Sequence, residues 1–170
     1  MHDPRITNIS VDANALDRDG SPRDALTDRF LSLMSAKKLS VVVAAGVRRE
    51  VQHPNTPAPV QEVVLPQLFN LRPGLNTSQR DGRQRVAALM QGNSRPGSHA
   101  ADASHLSEAD ETGCAYFVTH DRRILAKRDE LHRVLKFARI VTLAEFFDVF
   151  DRFEAERPRG AAVTPEASSP

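Results

Sequence analysis

The chain has 170 residues, of which 40% are hydrophobic, and this length suffices for one ordinary hydrophobic core. Its 23 basic and 22 acidic residues nearly cancel, so any nucleic-acid binding has to come from local clusters of charge. The single cysteine, Cys114, excludes an internal disulfide and a cysteine-type zinc site, which favours the reducing cytoplasm. We expect no secretory signal and no membrane-spanning segment, because no apolar run approaches eighteen residues.

The first half of the chain predicts two strands and three helical segments. Residues 6–11 form a short β-branched strand that ends at Asp12, and residues 39–45 form an apolar strand typical of the centre of a parallel sheet. Between them, Ser21 and Pro22 open a helix with Leu26, Phe30 and Leu33 on one face. Further helices are expected over 60–71, where Pro66 breaks the pattern, and over 79–91.

The second half repeats the alternation of helix and strand. A helix over 99–112 ends before Gly113, which suits a helix C-terminus, and a strand over 115–119 follows. We predict one helix over 121–131, a strand over 139–142 and a last helix opened by a Thr142–Glu145 capping box. The pattern predicts a single α/β domain over 1–156, a three-layer sandwich with a mainly parallel central β-sheet, followed by a disordered tail over 157–170.

Four acidic residues lie where such a sheet places its ligands, at or near the carboxyl ends of strands. They are Asp12, Glu50, Asp102 and Asp121. Carboxylates gathered in one cleft repel each other unless protons or cations compensate, and Mg²⁺ and Mn²⁺ prefer such hard oxygen ligands. A bound divalent ion supports phosphodiester hydrolysis without a covalent intermediate.

Each acid also has an ordinary structural interpretation. Asp12 and Asp121 suit helix N-caps, as does Asn14, while Asp102 suits the first turn of a helix. Glu50, which follows two arginines, suits a solvated ion pair. The joint pattern favours a metal site, because all four would otherwise converge by coincidence.

The order and local sequence of these acids resemble the PIN-domain family, in particular the single-domain ribonuclease toxins of bacterial toxin–antitoxin pairs. A strand followed by Asp12-x-Asn14, a later Glu50, and the stretch from Asp102 to Asp121 carry the resemblance, which covers about 6–150 and is looser between 53 and 98. The resemblance implies a parallel sheet flanked by helices, a Mg²⁺ or Mn²⁺ site and endonucleolytic cleavage of RNA. An antitoxin protein would then be a potential partner.

Carried over by position, the resemblance makes Asp12, Glu50, Asp102 and Asp121 the catalytic and metal-binding residues, with Asn14 and Thr119 in supporting roles. Glu62 is the alternative to Glu50, and Asp110 is the alternative third acid. Two locally basic stretches, over 72–95 and 122–139, offer phosphate contacts, and the RNA-binding candidates are Arg83, Arg122 and Arg123. A solvated helix face is the other interpretation of these arginines.

Competing interpretations remain open at this point. A non-catalytic RNA- or protein-binding module of the same fold is one, and a phosphatase on a similar sheet is another, although Asn14 stands where that chemistry needs a second Asp. His99 and His105 flank Asp102 and are expected at the surface or in a cap rather than in proton transfer. The phenylalanines of the last helix are expected in the core, with a homodimer surface as the alternative.

Overall fold

The computed structural model describes residues 1–42, 52–54, 58, 61–62 and 74–156. Its regular elements in chain order are β1 (Asn8–Val11), α1 (Asp24–Ser35), β2 (Ser40–Val42), α2 (Thr77–Gln91), α3 (Ala100–Glu111), β3 (Tyr116–Val118), α4 (Arg122–Ala126), α5 (Arg128–His132), β4 (Arg139–Val141) and α6 (Leu143–Ala155). A single turn of 3₁₀ helix, Ala13–Ala15, follows β1. Within this part of the chain no helix is long and apolar enough to cross a membrane.

The four strands form one sheet in the order β2-β1-β3-β4, and every neighbouring pair is parallel. β2 therefore lies at one edge of the described sheet, and the central position predicted for this strand is wrong. Parallel strands need crossover connections, and the intervening helices supply them. The sheet with its flanking helices confirms the predicted α/β architecture with a parallel central sheet.

Alternating residues of the strands face two separate layers of helices. Ile9, Val11 and Val118 pack on the side of α1 and α6, against the aromatic rings of Phe30 and Phe146. Phe117 and Ile140 face the opposite side, with a larger apolar set from the other helices: Val86 and Met90 of α2, Leu106 of α3, Ile124 of α4 and Leu131 of α5. The two-residue period of a strand therefore divides the core into two halves.

The aromatic face of α6 belongs to the core. Phe146, Phe147 and Phe150 are each at most 5% exposed, and Phe30 meets Phe146 edge to face at 5.5 Å between ring centroids. Phe153 packs against the same cluster while partly buried. Packing within one chain thus explains the burial of the α6 phenylalanines, which requires no second copy of the chain.

Helix signals read from the sequence are mostly confirmed. Thr142 and Glu145 form the capping box at the start of α6, and Gly113 takes a φ of +70° after α3. The structure differs at α1, which starts at Asp24 rather than at the predicted Ser21 cap, and the Asp24 carboxylate accepts hydrogen bonds from the backbone of Asp19 and Gly20.

The single helix predicted over 121–131 is wrong, since the structure divides it into α4 and α5 at Lys127. At this break the Lys127 ammonium donates hydrogen bonds to the backbone carbonyls of Leu89 and Met90 at the end of α2. His105 is also buried, with 4% exposure, where a surface or capping position was expected. The predicted helix over 60–71 and the tail over 157–170 lie wholly or largely outside the described residues.

Candidate functional site

The chain leaves β1 and β3 in opposite directions along the sheet. From β1 it crosses to β2 on one side, and from β3 it crosses to β4 on the other, so the neighbours β1 and β3 form the topological switch point. Ligands of open parallel sheets bind outside the carboxyl ends of strands at this point. Asp12 directly follows β1, and Thr119 directly follows β3.

Asp12 is a buried carboxylate that accepts hydrogen bonds from the side chains of Asn14 and Thr119. It is 8% exposed, and its backbone N–H donates to the Val118 carbonyl at 2.9 Å, which continues the pairing of the two strands. Its Oδ2 accepts from Asn14 Nδ2 at 2.7 Å and from the Thr119 hydroxyl at 2.8 Å. The side chain makes no capping bond to the following 3₁₀ turn, so the N-cap interpretation of Asp12 is wrong.

Asn14 ties this carboxylate to the segment after β3. Its Oδ1 accepts the backbone N–H of His120 at 2.8 Å, while its Nδ2 donates to Asp12. The Thr119 oxygen also lies 3.2 Å from Asn14 Oδ1, but a hydroxyl has one proton and the shorter contact is to Asp12. Asn14 therefore orients Asp12 rather than capping a helix.

Asp121 joins the same network through the Thr119 hydroxyl. Its backbone N–H donates to Thr119 Oγ1 at 3.0 Å, and its Oδ1 accepts the backbone N–H of Arg123 at 2.7 Å. The second bond makes Asp121 the N-cap of α4, as its structural interpretation predicts. The hydrogen bonds thus connect Asp12, Asn14, Thr119 and Asp121 across two neighbouring strands.

Asp102 reaches this network through a histidine and an arginine. It lies in the first turn of α3, with Oδ2 3.6 Å from His99 Nδ1. His99 Nδ1 in turn lies 3.3 Å from Arg123 Nη1, and the backbone of Arg123 is held by Asp121. A continuous series of contacts therefore joins the acid of α3 to the acids at the switch point.

No family model matches the chain, and neither does any curated protein or solved structure.

His99 carries backbone strain at this position. It precedes α3 with φ +64° and ψ +17°, the left-handed region that residues with a side chain rarely adopt. Strain of this kind is typical of functional sites, where surrounding contacts enforce it. The sequence gives no local signal of this conformation, because Gly97 and Ser98 are the residues one would expect to turn the chain.

A complete set of metal ligands is not assembled among the residues described. Within 1–42, 74–156 and the short pieces between them, no group of three or more His, Cys, Asp or Glu side chains could hold a metal ion. Glu50 lies outside the described residues, and its alternative, Glu62, is exposed. The structure therefore links Asp12 and Asp121 by hydrogen bonds, places Asp102 within 3.6 Å of His99 without a hydrogen bond, and does not test Glu50.

Asp110, the alternative third acid, has a structural role. Its carboxylate accepts the backbone N–H groups of Lys136, Phe137 and Ala138 at 2.7 to 3.1 Å. These bonds hold the loop before β4 onto α3. Three backbone donors occupy Asp110 where a metal ligand would need open lone pairs.

The predicted RNA-binding arginines fall into two groups. Arg122 and Arg123 are exposed at the start of α4, directly after Asp121. Arg83 instead forms a two-pronged ion pair with Glu111, with contacts of 2.7 and 3.0 Å, and this carboxylate raises the pKa of the guanidinium. Arg83 thus joins α2 to α3.

His120 is a site neighbour that the sequence did not single out. Its Nε2 is buried and has no hydrogen-bond partner within the described part of the chain. Burial lowers the pKa of the imidazole, the nearby Arg23 lowers it further, and Asp19 opposes them. The ring is therefore neutral near pH 7. Its position between Thr119 and Asp121 is the only sequence signal that marks it.

Proposed function

We propose that this protein is a divalent-metal-dependent endoribonuclease of the PIN type, which hydrolyses RNA phosphodiester bonds. The observation that carries the proposal is the Thr119 hydroxyl, which joins the buried carboxylate of Asp12 to Asp121 at the carboxyl ends of β1 and β3. Carboxylates at a topological switch point are placed where open α/β sheets bind ligands.

The chemistry of the donors fits Mg²⁺ or Mn²⁺. Asp12 and Asp121 offer hard oxygen ligands, and Mg²⁺ is often held by one or two carboxylates together with waters and substrate phosphates. Asp102 and Glu50 complete the proposed set. When bound, the ion supplies charge neutralisation at the scissile phosphate and a more acidic attacking water.

The residues around Asp12 have positioning roles in this proposal. Asn14 and Thr119 both bind Oδ2 of Asp12, so the carboxylate is held in one orientation before any ligand arrives. The exposed Arg122 and Arg123 attract the phosphates of the bound RNA on either side of the cleaved bond.

RNA cleavage with and without a divalent ion tests the proposal. The wild type is expected to cleave labelled single-stranded or structured RNA with Mg²⁺ or Mn²⁺ and not in EDTA, while Asp12→Asn abolishes cleavage. Asp81→Asn, the same change at an exposed position of α2, serves as the matched control and retains activity. Equal cleavage in EDTA or by Asp12→Asn would overturn the mechanism.

The second candidate is a non-catalytic RNA-binding module of the same fold. The observations that favour it are that an oxygen of Asp121 already caps α4 and that Asp102 contacts His99 at 3.6 Å rather than another acid. Such a module would retain RNA, with strong salt dependence, and would never cleave it. RNA retention that survives Asp12→Asn, together with no cleavage under any divalent ion, would support this candidate over the nuclease.

We further propose toxicity to the producing cell, with an antitoxin protein as the natural partner. Uncontrolled RNA cleavage arrests growth, so expression of the wild type is expected to stop cell growth while Asp12→Asn is tolerated. Tolerance of both proteins, with cleavage still measured in vitro, would indicate a solitary nuclease.

A further inference from the structure

A separate cavity lies at the outer edge of the sheet, beside β4. It is partly open to solvent, is lined by residues of β3, β4, α5 and α6 and by the first residue of the chain, and has a volume of about 300 Å³. This is the lower end of the range for small-molecule sites. β4 is the strand farthest from β2 and is separated from β1 by β3, so the cavity is distinct from the switch point.

The walls of the cavity are largely apolar. Tyr116, Ile140 and Val149 line it, and each of them is at most 4% exposed. Val141 and Met1 add further aliphatic surface. The cavity can therefore receive a compact aliphatic group and remove it from water.

The rim of the cavity carries an excess of positive charge. Arg128 lines it but is neutralised by Glu145 at 2.7 Å. Arg139 and Arg152 line it as well, and neither forms an ion pair with a carboxylate within the described part of the chain. Asp148 is the remaining acid at the rim, so two guanidinium groups face one carboxylate.

Arg139 and Arg152 line the same cavity, where the Arg152 guanidinium also donates to the Asp148 carbonyl at 3.1 Å and to the sulfur of Met1 at 3.4 Å. Burial raises the pKa of the Tyr116 hydroxyl, and the positive charges of Arg139 and Arg152 partly oppose this. The hydroxyl itself donates to the His2 carbonyl, so it is already paired. Two cationic side chains, Arg139 and Arg152, thus border one apolar pocket, an arrangement that attracts an acid group.

The exposed edge of β4 does not offer an ordinary strand-pairing surface. Its outward backbone N–H, that of Ile140, donates to His132 Nε2 at 2.9 Å. An added strand would have to displace this imidazole before it could pair. The cavity therefore fits a small molecule better than an extended peptide.

We propose that this cavity binds a small organic anion in which a carboxylate or phosphate group is attached to a compact aliphatic body. The acid group lies between Arg139 and Arg152, and the aliphatic body contacts Ile140 and Val149. This site is independent of the proposed nuclease activity, and its ligand is not the RNA.

The fluorescence of the single tyrosine can report ligand binding in this cavity. The protein has one tyrosine and no tryptophan, so its intrinsic emission comes from Tyr116, which lines the cavity. We would titrate the full chain with hexanoate and hexyl phosphate, which do not absorb at the excitation wavelength, and confirm binding by calorimetry. Hexanol and inorganic phosphate test the aliphatic body and the acid group separately.

At least one of the two acids is expected to change Tyr116 emission and to bind roughly tenfold more tightly than hexanol or inorganic phosphate. Arg139→Gln combined with Arg152→Gln should weaken that binding by roughly tenfold or more. Both side chains are exposed, so the double variant should fold, and Arg133→Gln, another exposed arginine that does not line the cavity, is the control. Hexanoate binding alone would identify carboxylates as the ligand class, and hexyl phosphate binding alone would identify phosphate esters.

Three results would overturn the proposal. The first is no binding of either acid, and the second is unchanged affinity in the double variant. The third is inorganic phosphate binding as tightly as hexyl phosphate while hexanoate does not bind, because the apolar walls would then contribute nothing.

Discussion

The Thr119 hydroxyl donates a hydrogen bond of 2.8 Å to Oδ2 of Asp12, from the end of β3 to the end of the neighbouring β1. Thr119 is fully buried and also accepts the backbone N–H of Asp121 at 3.0 Å. A single side chain thus sets both the orientation of the buried acid and the path of the backbone to the next acid.

Replacing Thr119 by valine should remove both bonds while preserving the shape of the side chain. We expect a loss of about 1 to 3 kcal/mol in the free energy of unfolding, because a buried carboxylate loses a donor. RNA cleavage should fall by about tenfold or more, since Asp12 is no longer held.

Thr119→Ser is the matched control for this change. It retains the hydroxyl and loses a buried methyl, so it should lose about 1 kcal/mol of stability while keeping most of the cleavage. If the loss of cleavage in both variants is proportional to their loss of unfolding free energy, Thr119 has a purely structural role.

The left-handed backbone of His99 allows its structural and functional roles to be separated. Asparagine adopts this conformation more readily than other residues with a side chain, so His99→Asn should fold with stability within about 1 kcal/mol of the wild type. The variant loses the imidazole contacts to Asp102 and Arg123, and we expect reduced cleavage.

The measurement for His99→Asn is the pH profile of cleavage compared with thermal unfolding. A profile that keeps its shape and height in a variant of unchanged stability would show that His99 serves only the local fold. Cleavage reduced at every pH in a stable variant would support a positioning role.

Arg83 is predicted to contribute to the stability of the fold rather than to RNA binding. Its pair with Glu111, whose side chain is 7% exposed, joins α2 to α3. Arg83→Gln should lower the free energy of unfolding by about 1 kcal/mol, because the nearly buried carboxylate loses its partner.

Arg122→Gln is the comparison for Arg83→Gln. The side chain of Arg122 is exposed beside Asp121, so this variant should leave stability unchanged and weaken RNA binding, with a smaller salt dependence. If Arg83→Gln weakens RNA binding as much as Arg122→Gln without loss of stability, our assignment of the two arginines is wrong.

Much of this arrangement could be predicted from the sequence. Asp12 and Thr119 each follow a short apolar strand, and the alternation of strands and helices predicts parallel strands whose carboxyl ends share one edge. The supporting role of Asn14, two residues after Asp12, is implied only by the resemblance to the PIN-domain family.

Other features depend on tertiary contacts that local patterns do not encode. The pairing of Arg83 with Glu111 joins positions 28 residues apart, so the basic stretch around Arg83 resembles a phosphate-binding surface until its partner is known. The left-handed backbone of His99 and the break at Lys127 are likewise accompanied by contacts with other elements. At such positions tertiary contacts outweigh the intrinsic conformational preferences of the residues.

The imidazole of His132 predicts a dependence of stability on pH. Its Nε2 accepts the backbone N–H of Ile140, a bond that only the neutral ring can make. Burial lowers the pKa of His132 below the ordinary value of 6.5, with contributions in the same direction from Arg139 and Arg128.

The unfolded chain therefore binds more protons at His132 than the folded chain does in this range. Its contribution to stability is present above pH 6.5 and is lost as the pH falls through the lowered pKa. His132→Gln retains an acceptor for Ile140, so its free energy of unfolding should fall less between about pH 7 and pH 5 than that of the wild type.

Urea denaturation at several pH values measures this difference. His120, whose pKa is also lowered, leaves a residual dependence in the variant. Identical pH dependence in the wild type and His132→Gln would contradict the role assigned to His132.

The binding of Mn²⁺ to the protein tests the central claim most directly, because it requires neither the right RNA nor the right cleavage conditions. Titration followed by electron paramagnetic resonance measures the free ion in the presence of the wild type, Asp12→Asn and the control Asp81→Asn. We expect the wild type and Asp81→Asn to bind Mn²⁺ equally and Asp12→Asn to lose that binding. Equal Mn²⁺ binding by all three proteins, or none by the wild type, would contradict the assignment of the buried carboxylate to a metal site.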